Sequence, residues 1–166
     1  MKDTAVWILI IVLTGWAAGC SQSGDGNGNS SSSSSQSQKG ESLTAFEKEH
    51  GIGPVKEEMD LGPIKTSLAA EGEELFKTNC SSCHKLDERY VGPAQRDVID
   101  QRSPEYVMNM ILNPAEMIKK HPEAKKMLAE YMTPMPYQNV SREEARAILE
   151  YFRYVNKNKS KSSVSE

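Results

Sequence analysis

A Cys-x-x-Cys-His motif limits what this chain can become more than any other feature of the sequence. Cys80 and Cys83 flank two serines, and His84 follows directly. Two thiols at this spacing can form thioethers to the two vinyl groups of one porphyrin, and the next residue supplies an imidazole to its iron. A zinc site would need about four ligands, but the only other cysteine is the distant Cys20. A thioredoxin-like dithiol would lie among alternating strands, and no strand-like pattern of useful length occurs. The motif therefore predicts one covalently bound c-type haem.

The residues around the motif predict a helical setting and a partner for the histidine. Gly72 and Phe76 lie four residues apart in the stretch SLAAEGEELFKTN, so they share one face of a predicted helix. Pro93 follows His84 by nine residues in the sequence Val91-Gly92-Pro93. A histidine that ligates a metal usually donates its second ring N–H to a carbonyl, which fixes the orientation of the ring. The Pro93 carbonyl is the predicted acceptor.

A methionine between two prolines is the predicted second iron ligand. Met135 lies in Thr133-Pro134-Met135-Pro136, where the prolines stiffen the backbone and keep it out of a helix. Met132 is the alternative sulfur ligand, and His50 or His121 would make a bis-histidine site instead. The other methionines of the region lie in helix-like stretches and are predicted to fill the core: Met108, Met110, Met117 and Met127.

Helix signals punctuate the rest of this region. Proline after a polar residue, and serine three residues before glutamate, are typical of helix starts. These signals occur at Ser103-Pro104, Asn113-Pro114, Pro122 and Ser141-x-x-Glu144. The last of them opens a predicted helix with an apolar face formed by Ala145, Ile148, Leu149 and Phe152.

Together these motifs resemble the class I monohaem cytochromes c over about residues 68–156. The resemblance implies an all-α fold in which several helices wrap around one covalently bound haem. It also implies that Cys80 and Cys83 carry the haem, that His84 and Met135 are its axial ligands, and that the Pro93 carbonyl accepts from His84. In that family the helix before the motif crosses the last helix, which would place Gly72 and Phe76 against Ile148 and Tyr151. Since both tryptophans precede residue 17, the usual tryptophan near a haem propionate is absent, and Arg96, Arg102 and Tyr137 are the candidate partners.

The two ends of the chain have the composition of processed and unstructured segments. Residues 1–19 predict a signal peptide, because the apolar run from Ala5 to Ala18 is shorter than the about 20 residues that span a bilayer. Ala17-Ala18-Gly19-Cys20 resembles a bacterial lipoprotein box, so we expect lipid on Cys20; an ordinary cleaved signal with a chance cysteine is the alternative. Residues 20–41 are rich in Ser and Gly and predict a disordered tether, and 157–166 predict a disordered tail. Segment 42–67 is interpreted as a strap on the haem domain or as a plain linker.

The predicted function is electron transfer. The net charge of −3 gives no electrostatic footprint for nucleic-acid binding, which would call for a basic face and a high isoelectric point. His/Met ligation raises the potential and leaves no open iron site, so we expect a monomeric one-electron carrier that is not an enzyme. The lipid anchor would hold it outside the cytoplasmic membrane, facing the periplasm or the cell exterior. It would take electrons from a quinol-side donor and pass them to a terminal reductase or oxidase through transient contacts.

Two other functions are compatible with these motifs. The rivals are a fixed haem subunit of a respiratory complex and a peroxidase- or reductase-type haem enzyme with a labile sixth ligand.

The stretches GIGP and YVGPAQRDV resemble small cytochromes found near nitrous oxide reductases, which suggests that class of acceptor. Four lysines before the methionine loop predict a positive docking patch: Lys119, Lys120, Lys125 and Lys126.

Overall fold

The computed structural model describes residues 42–159, which form seven helices and, within that range, no strand. The helices are joined by loops that hold much of the chemistry. In chain order they are α1 (Ala45–His50), α2 (Thr66–Asn79), α3 (Val98–Gln101), α4 (Pro104–Leu112), α5 (Pro114–Lys120), α6 (Pro122–Tyr131) and α7 (Arg142–Lys157).

The helix starts follow the caps that the sequence predicts. At α7 the Ser141 hydroxyl accepts from the Glu144 N–H at 3.1 Å, and the Glu144 carboxylate accepts from the Ser141 N–H at 2.7 Å. Ser103 caps α4 in the same way, accepting from the Tyr106 N–H at 3.1 Å. Pro114 and Pro122 open α5 and α6. The predicted helix starts are confirmed. The serine caps satisfy N–H groups that have no partner inside the helix, whereas α5 and α6 begin at proline without a side-chain cap.

Helices α2 and α7 cross in close contact through a glycine. A Cβ atom at Gly72 would stand 1.9 Å from the Ala147 carbonyl oxygen and 3.0 Å from the Ile148 nitrogen, so only glycine allows this approach. One turn later, the Phe76 ring centroid lies 5.7 Å from that of Tyr151. The predicted contact between the two helices is confirmed.

The core lies on the inner face of α7. The predicted apolar stripe of this helix, formed by Ala145, Ile148, Leu149 and Phe152, is buried. It packs against residues of α4 and of segment 42–67, among them Val107, Ile111 and Val55. A single cluster therefore joins the two longest helices to α4, which also borders the candidate site.

Segment 42–67 lies against α4 and α7, and buried polar side chains bind its backbone. Asn109 of α4 is fully buried; its amide accepts from the Val55 N–H at 2.9 Å and donates to the Val55 carbonyl at 3.0 Å. The Glu105 carboxylate accepts from the Met59 N–H, and that of Glu150 from the Lys65 N–H, each at 2.7 Å. The segment also contains α1, a helix that the sequence analysis did not predict.

The final helix extends further than predicted. Helix α7 includes Lys157, and the Lys159 ammonium lies 2.6 Å from an Asp97 carboxylate oxygen and 2.7 Å from one of Asp100. The predicted boundary of the tail at residue 157 is therefore too early, because residues beyond it still contact the folded domain. The predicted signal peptide, Cys20 and the tether of 20–41 lie outside the described residues, as do residues 160–166. Within the described range, no helix is both long and apolar enough to cross a membrane.

Candidate cofactor-binding site

A cavity of about 300 Å³ is lined by residues from α2 to α7 together with the loops that hold the predicted ligands. Cys80, Cys83, His84 and Met135 all line it. The structure thus brings together the four side chains that the sequence predicts for the haem. Most of the remaining wall is apolar and includes Phe76, Val107, Ile111, Leu128, Ile148 and Phe152.

The cysteine motif forms a tight turn at the end of α2. The Cys80 N–H donates to the Phe76 carbonyl at 2.9 Å, which completes the last helical turn. The Cys80 carbonyl then accepts from the N–H groups of Cys83 and His84, at 3.0 and 2.9 Å. Burial, and to a smaller extent the Cys83 thiol, raises the pKa of Cys80 to about 11, so this thiol is neutral at physiological pH. The turn directs both thiols and the imidazole to one cavity.

His84 is oriented by the loop that follows it. Its Nδ1 lies 2.9 Å from the Pro93 carbonyl oxygen, the predicted partner. The Gly92 N–H donates to the Cys83 carbonyl at 2.8 Å and closes the loop behind the ring. Burial lowers the pKa of His84, and the hydrogen bond to Pro93 opposes this effect. A neutral imidazole that donates from Nδ1 keeps the Nε2 lone pair available for a metal.

The candidates for the second ligand occupy different places. Met135 is half-buried and lines the cavity, whereas Met132 is 81% exposed and does not. The Nδ1 atom of His50 lies 2.9 Å from the Ser103 hydroxyl, and Nε2 of His121 lies 3.1 Å from the Lys48 carbonyl oxygen. Neither histidine lines the cavity. This arrangement favours Met135.

Two methionines assigned to the core by the sequence analysis also reach the cavity. Met110 of α4 and Met127 of α6 are part of its lining, whereas Met108 and Met117 are buried elsewhere. Met110 and Met127 are therefore the controls that any test of Met135 needs.

Only one of the predicted propionate partners lines the cavity. Arg96 pairs with Asp87 and donates to the Val155 carbonyl at 3.1 Å, and neither Arg96 nor Tyr137 lines the cavity. Arg102 does line it, and its guanidinium carbon lies 5.2 Å from the centroid of the Tyr106 ring.

Tyr106 and Gln95 are cavity residues that the sequence analysis missed. Tyr106 is 3% exposed, and its hydroxyl has no hydrogen-bond partner among the described residues. Its place in the apolar pattern of α4 made it look like an ordinary core residue. The Gln95 amide contacts both His84 and Pro93, and no motif in the neighbouring sequence predicts that contact.

The residues present fit a c-type haem. Two thiols suit thioether attachment, a neutral imidazole and a thioether suit iron, and the apolar walls suit a porphyrin face. Tyr106 also lines the cavity, and its hydroxyl, which has no hydrogen-bond partner within residues 42–159, could bond a polar atom of such a group. In the described part of the chain, no group of three or more His, Cys, Asp or Glu side chains could hold a bare metal ion.

Comparison with known proteins agrees with this chemistry. Residues 69–156 match the family model for cytochrome c. Cytochrome c-551 of Stutzerimonas stutzeri is 29% identical over 89 residues, which are 53% of this chain and 80% of that protein. Cytochrome c-551 of Ectopseudomonas mendocina is 31% identical over 83 residues, or 49% of this chain and 94% of that protein.

The solved structures that resemble the chain are also cytochromes c. Cytochrome c from Rhodothermus marinus is 50% identical with a TM-score of 0.64, and the match covers 68% of this chain and 97% of that one. An engineered form of it bound to a carbene intermediate matches with the same identity and coverage and a TM-score of 0.62.

Proposed function

Because the chain belongs to the cytochrome c family, with its class I all-α fold and one covalently attached c-type haem, we propose that it is a one-electron carrier whose haem iron is ligated by His84 and Met135. The predictions of fold class and cofactor are confirmed by the family and its solved relatives. Haem-based electron transfer follows from the family. The observation that supports the specific ligand pair is that His84 and Met135 line the same cavity.

Each residue has a defined task in this proposal. Cys80 and Cys83 hold the haem through thioethers, and the haem supplies reversible one-electron chemistry when bound. His84 presents Nε2 while Nδ1 donates to Pro93. Met135 would supply the second iron ligand, and the mostly apolar wall would limit contact of the group with water. A thioether ligand and a dry surrounding both favour the reduced, less charged state and so raise the potential.

Full axial ligation argues against an enzyme. The curated relatives are named cytochrome c-551, and a carrier needs no open iron position. The rival function, a peroxidase or reductase, requires Met135 to be labile. The engineered R. marinus cytochrome c bound to a carbene intermediate is the observation that keeps this rival in view. The reduced protein should not bind carbon monoxide at neutral pH if Met135 stays on the iron, whereas ready binding would favour the enzyme.

The proposed location is the cell envelope. Lipid on Cys20 would anchor the chain outside the cytoplasmic membrane, and residues 20–41 would tether the haem domain as a swinging carrier. Two or more acyl chains hold a protein stably, whereas one binds only marginally. Cys20→Ala should release the protein from membranes or leave its precursor unprocessed. A wild-type protein that is soluble without detergent and carries no lipid would contradict this anchor. It would also remove the reason to prefer a swinging carrier over a fixed subunit of a complex.

The partners are proposed to be a quinol-side donor and a terminal reductase or oxidase, with nitrous oxide reductase as one acceptor to test. The protein would act as a monomer through small transient contacts.

The predicted lysine patch is partly neutralised, because Lys120 and Lys126 lie 2.7 and 2.6 Å from Glu116 and Glu123. Apolar residues near the cavity are also exposed: Tyr90 is 56% exposed, and Val91 lines the cavity itself. Reversing the four lysine charges should slow electron transfer only at low salt.

The decisive experiment uses the haem-loaded protein. Acid–organic extraction should leave the haem on the polypeptide, whereas Cys80→Ala combined with Cys83→Ala should release it. The oxidised protein should show the weak sulfur-to-iron charge-transfer band, and titration should give a single reversible one-electron step. Haem that is extracted from the unmutated protein would contradict covalent attachment, and an absent band would contradict methionine ligation.

A further inference from the structure

The Pro93 carbonyl has two hydrogen-bond donors. One is the Nδ1 of His84 at 2.9 Å, and the other is the side-chain amide of Gln95, whose Nε2 lies 2.7 Å from the same oxygen. The two nitrogens lie 2.9 Å apart, because they converge on one acceptor. A carbonyl oxygen has two lone pairs and can accept both bonds. Gln95 therefore shares the atom that orients His84.

Gln95 is held in this position by its own backbone. Its N–H donates to the carbonyls of Lys85 and Leu86, at 3.0 and 3.1 Å, and the next residue, Arg96, donates to Leu86 at 2.9 Å. These bonds fasten the loop after Pro93 to the segment that follows His84. Gln95 is only 8% exposed, so little water competes for its amide. The contact is a fixed part of the site.

We propose that Gln95 is a positioning residue that weakens the hydrogen bond between His84 and Pro93 and so raises the reduction potential of the haem. A strong acceptor at Nδ1–H increases the electron donation of a ligating imidazole and stabilises the oxidised metal. A second donor draws on the same carbonyl and makes it a poorer acceptor for His84. The amide hydrogens of Gln95 also place partial positive charge beside the ligand. Both effects disfavour the oxidised state, and the inference rests on the proposed ligation by His84.

The test compares holoproteins. Gln95→Leu replaces the amide side chain with an apolar side chain of similar size. The equilibrium constant for reduction should fall by roughly threefold to tenfold, the scale of one net hydrogen bond. In the reduced protein, the His84 Nδ1–H proton resonance should move downfield as its bond to Pro93 shortens. The control is Asn158→Leu, which removes an amide that donates to the Tyr154 carbonyl at 2.8 Å at the end of α7. It should move neither quantity.

The proton resonance separates the proposed role from a merely structural one. An unchanged potential, a higher potential, or a lower potential with an unmoved resonance would each overturn the proposal. A second measurement needs no variant: in unmodified protein, scalar couplings across hydrogen bonds should link the Pro93 carbonyl carbon to both His84 Nδ1 and Gln95 Nε2. Absence of the Gln95 coupling alone would overturn the proposal. If no His84 resonance shows the shift of an iron ligand, the proposed ligation itself fails, and this inference fails with it.

Discussion

Gly92 lies against the imidazole of His84, so closely that no other residue type fits there. A Cβ atom at position 92 would stand 2.4 Å from Cε1 of His84 and 2.8 Å from its Nδ1. Both distances are far shorter than a real carbon contact, and the obstacle is a ring already held by Pro93. The glycine therefore sets how closely the loop approaches the proximal ligand.

We expect Gly92→Ala to rotate or displace the His84 ring, because the added methyl group occupies the space of the imidazole. Haem incorporation should fall, and the protein that does load should have an altered potential, measured by redox titration. The matched control is Gly62→Ala. No atom lies within 4 Å of that Cβ, but the backbone φ of +57° is strained for alanine. The control should cost about 1 kcal/mol of stability and leave the haem spectrum unchanged. Normal loading and potential in Gly92→Ala would contradict the steric argument.

Met135 is the proposed sulfur ligand, so its replacement should remove the spectral signature of that ligand. Met135→Ala should abolish the sulfur-to-iron charge-transfer band and lower the potential, since the iron loses its thioether. Met127→Leu serves as the control from the cavity wall and should keep the band. If Met135→Ala retains the band, another sulfur is the ligand.

Met132→Gly should keep the charge-transfer band and stabilise the protein. Met132 ends α6 in the left-handed conformation, with φ of 55°, and its side chain is 81% exposed. Glycine adopts this conformation without the strain of a side chain, so the free energy of unfolding should rise by about 1 kcal/mol. Denaturant titration of the holoprotein measures the change. Loss of the band in this variant would identify Met132 as the ligand.

Asn109→Ala should destabilise the contact between segment 42–67 and α4. The substitution leaves the Val55 N–H and the carbonyls of His50 and Val55 without their amide partner in a buried place. The expected loss is about 2–4 kcal/mol, since several buried polar groups lose their partner. Denaturant titration of the holoprotein measures it, and Asn158→Ala should cost less than about 1 kcal/mol. Equal losses in the two variants would mean that the segment is only loosely attached.

Glu150 should make stability depend on pH. Burial alone would raise its pKa, but hydrogen bonds from the Lys65 N–H, Arg146 and Arg153 outweigh burial and lower it below the ordinary value of 4.5. Such a carboxylate stabilises the fold above that value, and the stabilisation is lost as pH falls through the lowered pKa. Glu150→Gln should therefore cost about 2 kcal/mol near neutral pH and progressively less below pH 4.5. A pH-independent difference between variant and wild type would rule out this linkage.

Local chemistry in the sequence determined much of this protein. The haem attachment motif depends on the spacing of Cys80, Cys83 and His84 along the chain. The caps at Ser103 and Ser141 depend on residues three positions away. Such interactions form within about one turn of backbone, so the partners can be predicted from residues that are close in the sequence. Pro93 lies nine residues after His84, and the loop between them returns its carbonyl to the ring.

Tertiary structure alone decided the contacts that join distant segments. Asn109 binds the backbone of residues more than 50 positions away, and Glu150 binds a backbone N–H 85 positions away. Gln95 reaches the proximal ligand only because the loop folds back on Lys85 and Leu86. Tyr106 has the same pattern position as a core residue, yet it lines the cavity, and its hydroxyl has no hydrogen-bond partner in the described part of the chain. Side-chain amides, carboxylates and hydroxyls can bind any backbone group brought within reach, so their partners depend on the packing of helices and not on spacing in the chain.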